Sequence, residues 1–396
     1  SKKILDHTID SNEKNGLFNA YNIIDLNISK NSAQIDKLSI MLEGQVAALS
    51  SGRLPLDKVI ATIKAIYSSR LYRKNQNSFI LYPSKEIVSF LNKNIIPKTL
   101  FEKCSTLKML IDLGDTRIVN LDAKNNIRFN PDLKNEFDLK TALNILKKNE
   151  TKYKKLIDSE YLQILGIYES VFKHRYYTGR SGTMFSYEGI GSIYWHMVAK
   201  LLLSVQENFY HFYKKNPKNP ELTTLGKLYY KIRGGLSSEK TPKQYGAFPF
   251  DPYSHSPSHS GAQQPGMTGQ VKEEILTRFG ELGCFIKKGK LVFAPFLLRK
   301  SEFLTRSKVF NHYSIANGES KIKVKKNQLL FTFNQVPIIY DINHPIKEKI
   351  IITYLDGSVK KIHDSVINFR TSRDLFTRKG NIDSIQYFFD KKNINF

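Results

Sequence analysis

Cysteine is almost absent. Cys104 and Cys284 are the two in 396 residues, and they lie far apart. That excludes a disulfide framework and a cysteine-rich zinc site, and it leaves the compartment open. Tryptophan occurs once, at Trp195. No run of about 18 apolar residues is present, so no membrane span is expected. The most apolar helix, near Ile193 to Phe209, is interrupted by His196, Lys200 and Gln206. No secretory signal opens the chain. Ser1-Lys2-Lys3-Ile4-Leu5-Asp6-His7 reads as the middle of a helix, as in a fragment or processed product whose N-terminal part lies elsewhere. Gly-rich phosphate loops, zinc-finger spacings and RNA-binding aromatic signatures are missing too. Acidic residues are scarce, 36 against 61 Lys and Arg, giving a net charge of +25. The lysines are dispersed among asparagines, which reads as a compositional habit of the source. An acidic polysaccharide is the functional alternative. Nucleic acid is not an expected partner.

What is present is ordinary globular material, 41% hydrophobic and 24% charged, long enough for two or three domains. Residues 1–70 read as helices. One is capped by Ser32 or Asp36 and stops at Ser51-Gly52; Pro55 opens the next. Gly after one helix and Pro at the start of another punctuate a helical hairpin. Residues 78–130 read as a small β excursion, with a turn at Asn125-Asn126. Helices are expected at 138–148, 152–174, 193–209 and 222–233, and from Thr268 to about Gly280. After Gly283 the period changes to two, and Asp356-Gly357 marks a hairpin. The fold class is therefore α+β. A helical, (α/α)-toroid-type domain, 1–283, precedes an antiparallel β-sandwich-like domain, 284–396.

Two segments stand out. One runs Gly179-Arg180-Ser181-Gly182-Thr183 through Tyr187-Glu188-Gly189 to Tyr194-Trp195-His196. The other runs Tyr245 to Gln270 and includes Asp251-Pro252-Tyr253-Ser254-His255 and Gln263-Gln264. Both collect aromatic rings, neutral hydrogen-bonding groups and single carboxylates ahead of a helix. A long loop without periodicity is usually functional. Helical hairpins, inter-helix loops and a C-terminal β domain resemble the (α/α)6-barrel carbohydrate-active enzymes, in particular the cellobiose-phosphorylase-like branch of that clan. The resemblance implies cleavage of glycosidic bonds in an oligo- or polysaccharide. Inorganic phosphate would be a co-substrate if the enzyme is a phosphorylase, and no other cofactor is implied.

Glu188 is the first candidate acid. Tyr187, Tyr194 and Trp195 would supply the apolar wall that keeps a carboxyl protonated; the plain alternative is a carboxylate favoured by a helix N-terminus. Asp251 is its candidate partner, as base or as a group orienting a sugar hydroxyl; the alternative is an Asp-Pro turn. Tyr253 and Trp195 could stack on a pyranose, although Trp195 could equally be core. His196, His255, Gln263 and Gln264 could hydrogen-bond sugar, although a lone helical histidine is usually a core residue. Arg180 with Ser181-Gly182-Thr183 could hold phosphate. No metal ligand set has recognisable spacing. Glu43-Gly44-Gln45, inside an otherwise apolar helix, points to close packing against the helix backbone. Other readings are a non-catalytic glycan binder and a polysaccharide lyase.

Overall fold

A computed structural model describes residues 2–20, 22–29, 32–37, 40–83, 89–172, 193–236, 239–241, 244, 253–256, 264–265, 268–314, 318–343, 348–394 and 396. The chain divides into two units, Ser84–Gly191 and the remainder, Ser1–Pro83 with Ser192–Phe396. The boundary expected at Gly283 falls inside the larger unit, where it marks a change of secondary structure.

Helix α1 (Lys2–Asn12) leads into a hairpin of β1 (Glu13–Lys14) and β2 (Leu17–Phe18), then a longer one of β3 (Asn22–Ser29) and β4 (Ser32–Lys37). Helices throughout 1–70 are therefore not what forms. Ile24 to Ser29 alternates apolar and polar, a strand period. Asn15 and Gly16 both adopt positive φ, the requirement of a type I′ turn. Helix α2 (Leu42–Ser50) starts after Met41 without a side-chain cap, and α3 (Leu56–Ser68) follows Pro55 as expected. The oddity at Gly44-Gln45 has its cause here. A Cβ on Gly44 would overlap the Phe18 carbonyl. The Gln45 carboxamide accepts from Phe18 N at 2.9 Å and donates to Phe18 O at 2.7 Å. The side chain thus imitates a neighbouring strand and fixes β2 against α2. A short ladder of β5 (Tyr72–Arg73) and β6 (Ser78–Phe79) ends this stretch.

The smaller unit has its own core. Helices α4 (Phe90–Lys93), α5 (Lys98–Phe101) and α6 (Ser105–Asp112) precede the expected hairpin, β7 (Val119–Leu121) with β8 (Ile127–Phe129). Helices α7 (Glu136–Asn149) and α8 (Thr151–Phe172) complete it. Asn135 caps α7 by accepting from Asp138 N. Leu107, Leu110, Phe129, Leu143, Ile157 and Tyr168 pack together. Glu160 of α8 accepts from the backbone N–H groups of Ser105 and Thr106 and from the Thr106 hydroxyl, so one carboxylate serves the orphan donors at the start of α6.

In the larger unit β9 (Ile193–Tyr194) runs directly into α9 (Trp195–Lys215), and α10 (Glu221–Arg233) follows the Asn216–Pro220 break. Next come β10 (Tyr253–Ser256), β11 (Gln264–Pro265) and α11 (Thr268–Leu282). Helix α9 is central, packed by α2, α3, α10 and α11. Met197, Val198, Leu201, Leu202, Val205 and Phe209 form its buried face, as the period indicates. Among the described residues these helices gather round α9 and do not close a barrel. Helix α11 is turned the other way from its hydropathy. Gln270, Glu273, Thr277 and Glu281 are buried, whereas Val271, Ile275 and Leu276 are exposed. A set of polar bonds holds it so. Gln206 donates to Thr277 O and to the Tyr229 hydroxyl, and Tyr229 donates to Glu281 at 2.7 Å. Arg233 and Arg278 pair with Glu281 at 3.2 and 2.9 Å, and Arg278 continues to Glu302.

The β-rich part begins with a hairpin, β12 (Cys284–Lys287) and β13 (Lys290–Phe293), then a second, β14 (Lys308–Ser314) and β15 (Gly318–Val324). A five-stranded sheet contains β16 (Gln328–Phe333), β17 (Val336–Asp341), β18 (Lys349–Tyr354) and β19 (Val359–Ile362). Helix α12 (Phe369–Phe376) leads to its last strand, β20 (Ile382–Phe388). The strand order is β16-β17-β20-β18-β19, antiparallel except for the parallel pair β17–β20. Inserting β20 between β17 and β18 forces that pair. Ile338, Tyr340, Ile350, Ile385 and Tyr387 line its core with Phe293 and Leu375. The Tyr340 hydroxyl donates to Leu282 O at 2.6 Å, tying the sheet to the end of α11.

Two stability predictions follow. At Gly280 a Cβ would overlap the pinned Gln206 carboxamide, while at Gly166 in α8 the space is open. Gly280→Ala should cost about 2 kcal/mol, and Gly166→Ala should gain about 0.5–1 kcal/mol, in urea unfolding of each unit. Burial opposes ionisation of Glu160, but its hydrogen bonds to Thr106, Ser105 and Cys104 outweigh it and hold the carboxyl down at about 2. Its contribution is fully present above its ordinary value near 4.5 and is lost as pH falls toward 2. In Glu160→Gln, hydrogen exchange of α6 should lose that part of its acid dependence.

Candidate functional site

The second long loop and the entrance of α9 meet in one small sheet. Its order is β11-β10-β9. His255 pairs with Tyr194 on one side and with Gln264 on the other, and Ser256 pairs with Ile193. Three segments that sequence places 60 or more residues apart or within one loop thus share a row: Tyr194, His255 and Gln264. Tyr253 opens β10 opposite Pro265. Helix α11 begins at Thr268, shortly after β11, so a helix N-terminus follows this sheet. The ladder gives a loop of low periodicity a defined backbone at these positions, because strand pairing supplies partners for main-chain N–H and C=O groups.

His196 sits in the first turn of α9. Its Nδ1 lies 3.3 Å from the Tyr194 hydroxyl. Its Nε2 is 3.1 Å from Glu273 Oε2, and Glu273 is 4% exposed. The separation is that of an ion pair, but the angle misses hydrogen-bond geometry, and among the described residues both atoms lack a hydrogen bond. Trp195 points the other way, into the core, at 1% exposure. The Lys240 ammonium stands 5.0 Å from its ring centroid and donates to the Gln76 carbonyl. Lys240 is 6% exposed, and burial pushes its amine down to about 8. Trp195 is therefore a core residue supporting the row. A stacking role would fall to other rings.

Residues 87–175 match the family described as GH149 phosphorylase insertion domain 2. The match covers less than a quarter of the chain and lies within the inserted unit, 84–191. A search of the curated proteins gives no match. The match relates the chain, through that segment, to an insertion domain of glycoside phosphorylases.

Of the residues singled out in the sequence, Tyr194, His196, Tyr253, His255 and Gln264 are brought to this sheet or to the helix turn beside it. Arg180, Tyr187, Glu188, Asp251 and Gln263 lie outside the described residues. Two groups were passed over: Glu273 and Lys240. Glu273 had a signal in the polar series Gln270, Glu273, Thr277 and Glu281, spaced for one helix face. Lys240 had none, since one lysine in a polar stretch reads as solvent-exposed. No helix among the described residues is long and apolar enough to cross a membrane.

Because Lys240 binds its proton more weakly when folded, the unfolded chain holds more protons between pH 8 and 10.5. The folded state should gain stability across that range. Lys240→Met should remove a gain of up to about 3 kcal/mol, read as the difference between the two pH profiles of unfolding.

Proposed function

We propose that this chain belongs to a glycoside phosphorylase that acts on an oligo- or polysaccharide with inorganic phosphate as the attacking group. The observation that carries the reading is the match of the inserted unit to a phosphorylase insertion domain. The Tyr194–His255–Gln264 row supports it, because strand register brings these three positions together at the entrance of α9. So does the N-terminus of α11, which follows that row closely in sequence, since the first backbone N–H groups of a helix and its dipole suit a phosphate.

In this reading a phosphate oxygen attacks the anomeric carbon as the glycosidic C–O bond breaks. The bonding pair leaves with the departing sugar oxygen, which takes a proton from Glu188. The products are a sugar 1-phosphate and a chain shorter by one unit. No water is activated, so Asp251 orients a substrate hydroxyl and has no base role. Arg180 and Gln264 contribute to phosphate binding. His196, Tyr253, His255 and Gln263 hydrogen-bond or cover the sugar, and Tyr187 shields the acid. Glu273 stands 3.1 Å from His196 Nε2, at ion-pair separation.

The test is incubation of the protein with a panel of glucan and other oligosaccharides, with and without phosphate. Sugar 1-phosphate should form only with phosphate, and Glu188→Gln should lower its rate by about 100- to 10,000-fold. Release of free sugar at equal rate without phosphate would return the assignment to hydrolysis. Unchanged turnover in the Glu188 variant would remove the acid.

A further inference from the structure

Strand β9 runs straight into α9, so Tyr194 and His196 sit on either side of the helix start. Their rings meet edge to face, with centroids 5.7 Å apart, and the Tyr194 hydroxyl lies 3.3 Å from His196 Nδ1. On the other side of the imidazole, Glu273 Oε2 of α11 stands 3.1 Å from Nε2. Both of these facing atoms are buried, and among the described residues neither has a hydrogen bond. Atoms so covered are out of reach of a ligand. Each is satisfied by the other, through a small turn of the ring that brings an N–H into line.

The direction of each bond then follows. Glu273 Oε1 pairs with the Lys272 ammonium at 3.8 Å, an ion pair that needs the carboxylate. A carboxylate has lone pairs and no hydrogen to give. Two bare acceptors at the Nε2–Oε2 distance, away from water, would repel, so Nε2 carries the hydrogen. A neutral imidazole protonated there has Nδ1 as its acceptor. The Tyr194 hydroxyl therefore donates to Nδ1, and its oxygen keeps its lone pairs for other partners. Both nitrogens of His196 are engaged in this way, so the residue acts on a ligand through Tyr194 or covers it with ring carbons. Tyr194 itself is only partly buried. What an oxygen with its hydrogen already committed will take is a donor. A sugar hydroxyl supplies one. A phosphate dianion has no hydrogen to give and would set lone pair against lone pair.

We propose that Tyr194 Oη is an acceptor selective for a hydroxyl of a neutral sugar, with its polarity set by Glu273 through His196. Tyr194 touches the sugar; His196 and Glu273 are positioning residues. The inference rests on the reading that this row faces the oligosaccharide, and it keeps phosphate away from the Tyr194 end of the row.

The test uses the full chain, with D-glucose and inorganic phosphate as probes. Side-chain ¹⁵N NMR at about pH 8.5, where an ordinary imidazole is neutral, reads the tautomer. Among the nine histidines, the signal lost in His196→Gln identifies the ring. It should show hydrogen on Nε2 and an accepting Nδ1. Glu273→Gln should mix the two tautomers, and Tyr194→Phe should leave Nδ1 with the shift of an unbonded nitrogen. Glucose should move the signal saturably. Tyr194→Phe should weaken glucose about tenfold, while phosphate binding, read by ³¹P NMR, changes less than about twofold. A purely structural tie between α9 and α11 would leave that preference unmoved. If Glu273→Gln fails to fold, Tyr194→Phe carries the test. Hydrogen on Nδ1 in the wild type, no saturable response to glucose, or glucose binding in Tyr194→Phe that is unchanged or weakened no more than phosphate would overturn the proposal. Absence of sugar 1-phosphate while these results hold would overturn phosphorolysis instead and leave the sugar contact standing.

Discussion

Glu281 is the carboxylate on which the larger unit turns. It is buried at the meeting of α9, α10 and α11, accepts from Tyr229 and Arg278, and pairs with Arg233. Two guanidinium groups and a phenol around one carboxylate repay its desolvation, which a single partner would not do. The geometry has a cost in freedom. Helix α11 must present its polar side to α9, and its apolar side is left facing outward. The same rotation sets Glu273 beside His196 and starts the helix just after β11. The candidate floor is therefore a consequence of a charged core, as much as of the loops that form it.

Much of the secondary structure was legible. The buried stripe of α9, the breaks at Asn216–Pro220 and Ser51-Gly52, the Asn125 turn and the Asp356-Gly357 hairpin all follow from period and turn chemistry. The N-terminal hairpins were legible too but were misread. Asn15-Gly16 and the alternation from Ile24 to Ser29 are strand signals, and a helical context on either side obscured them. Three features were not legible. The rotation of α11 opposes its hydropathy, because tertiary ion pairing overrode the apolar stripe. The parallel pair β17–β20 depends on a strand entering between two others, which no local pattern encodes. The interruption of one unit by another is a property of contacts far apart in sequence.

The candidate site divides along similar lines. Residue chemistry drew attention to Tyr194, His196, Tyr253, His255 and Gln264; strand pairing gathers four of them, and His196 follows in the first turn of α9. Glu273 was hidden by its exposed neighbours, and Lys240 by its ordinary surroundings. Trp195 shows how weak composition is as a guide to exposure: a single tryptophan near an interesting loop turned out to be covered, with an ammonium over its ring. The phosphorylase relation comes from the inserted unit, which local sequence pattern divides between a small β excursion at 78–130 and two helices of the main domain.

The position of that unit has a consequence of its own. The chain leaves the larger unit just after β6 and returns at β9, and these two strands touch. A departure and a return at neighbouring points let about a hundred residues be carried at little entropic expense, since loop closure grows only slowly with length. The smaller unit, with its own apolar centre, can mature as a separate cooperative block while α2 waits for α9 to emerge from the ribosome. Such an attachment suits a unit that can be lengthened or exchanged over evolutionary time, since its two ends leave and rejoin the larger unit at neighbouring strands.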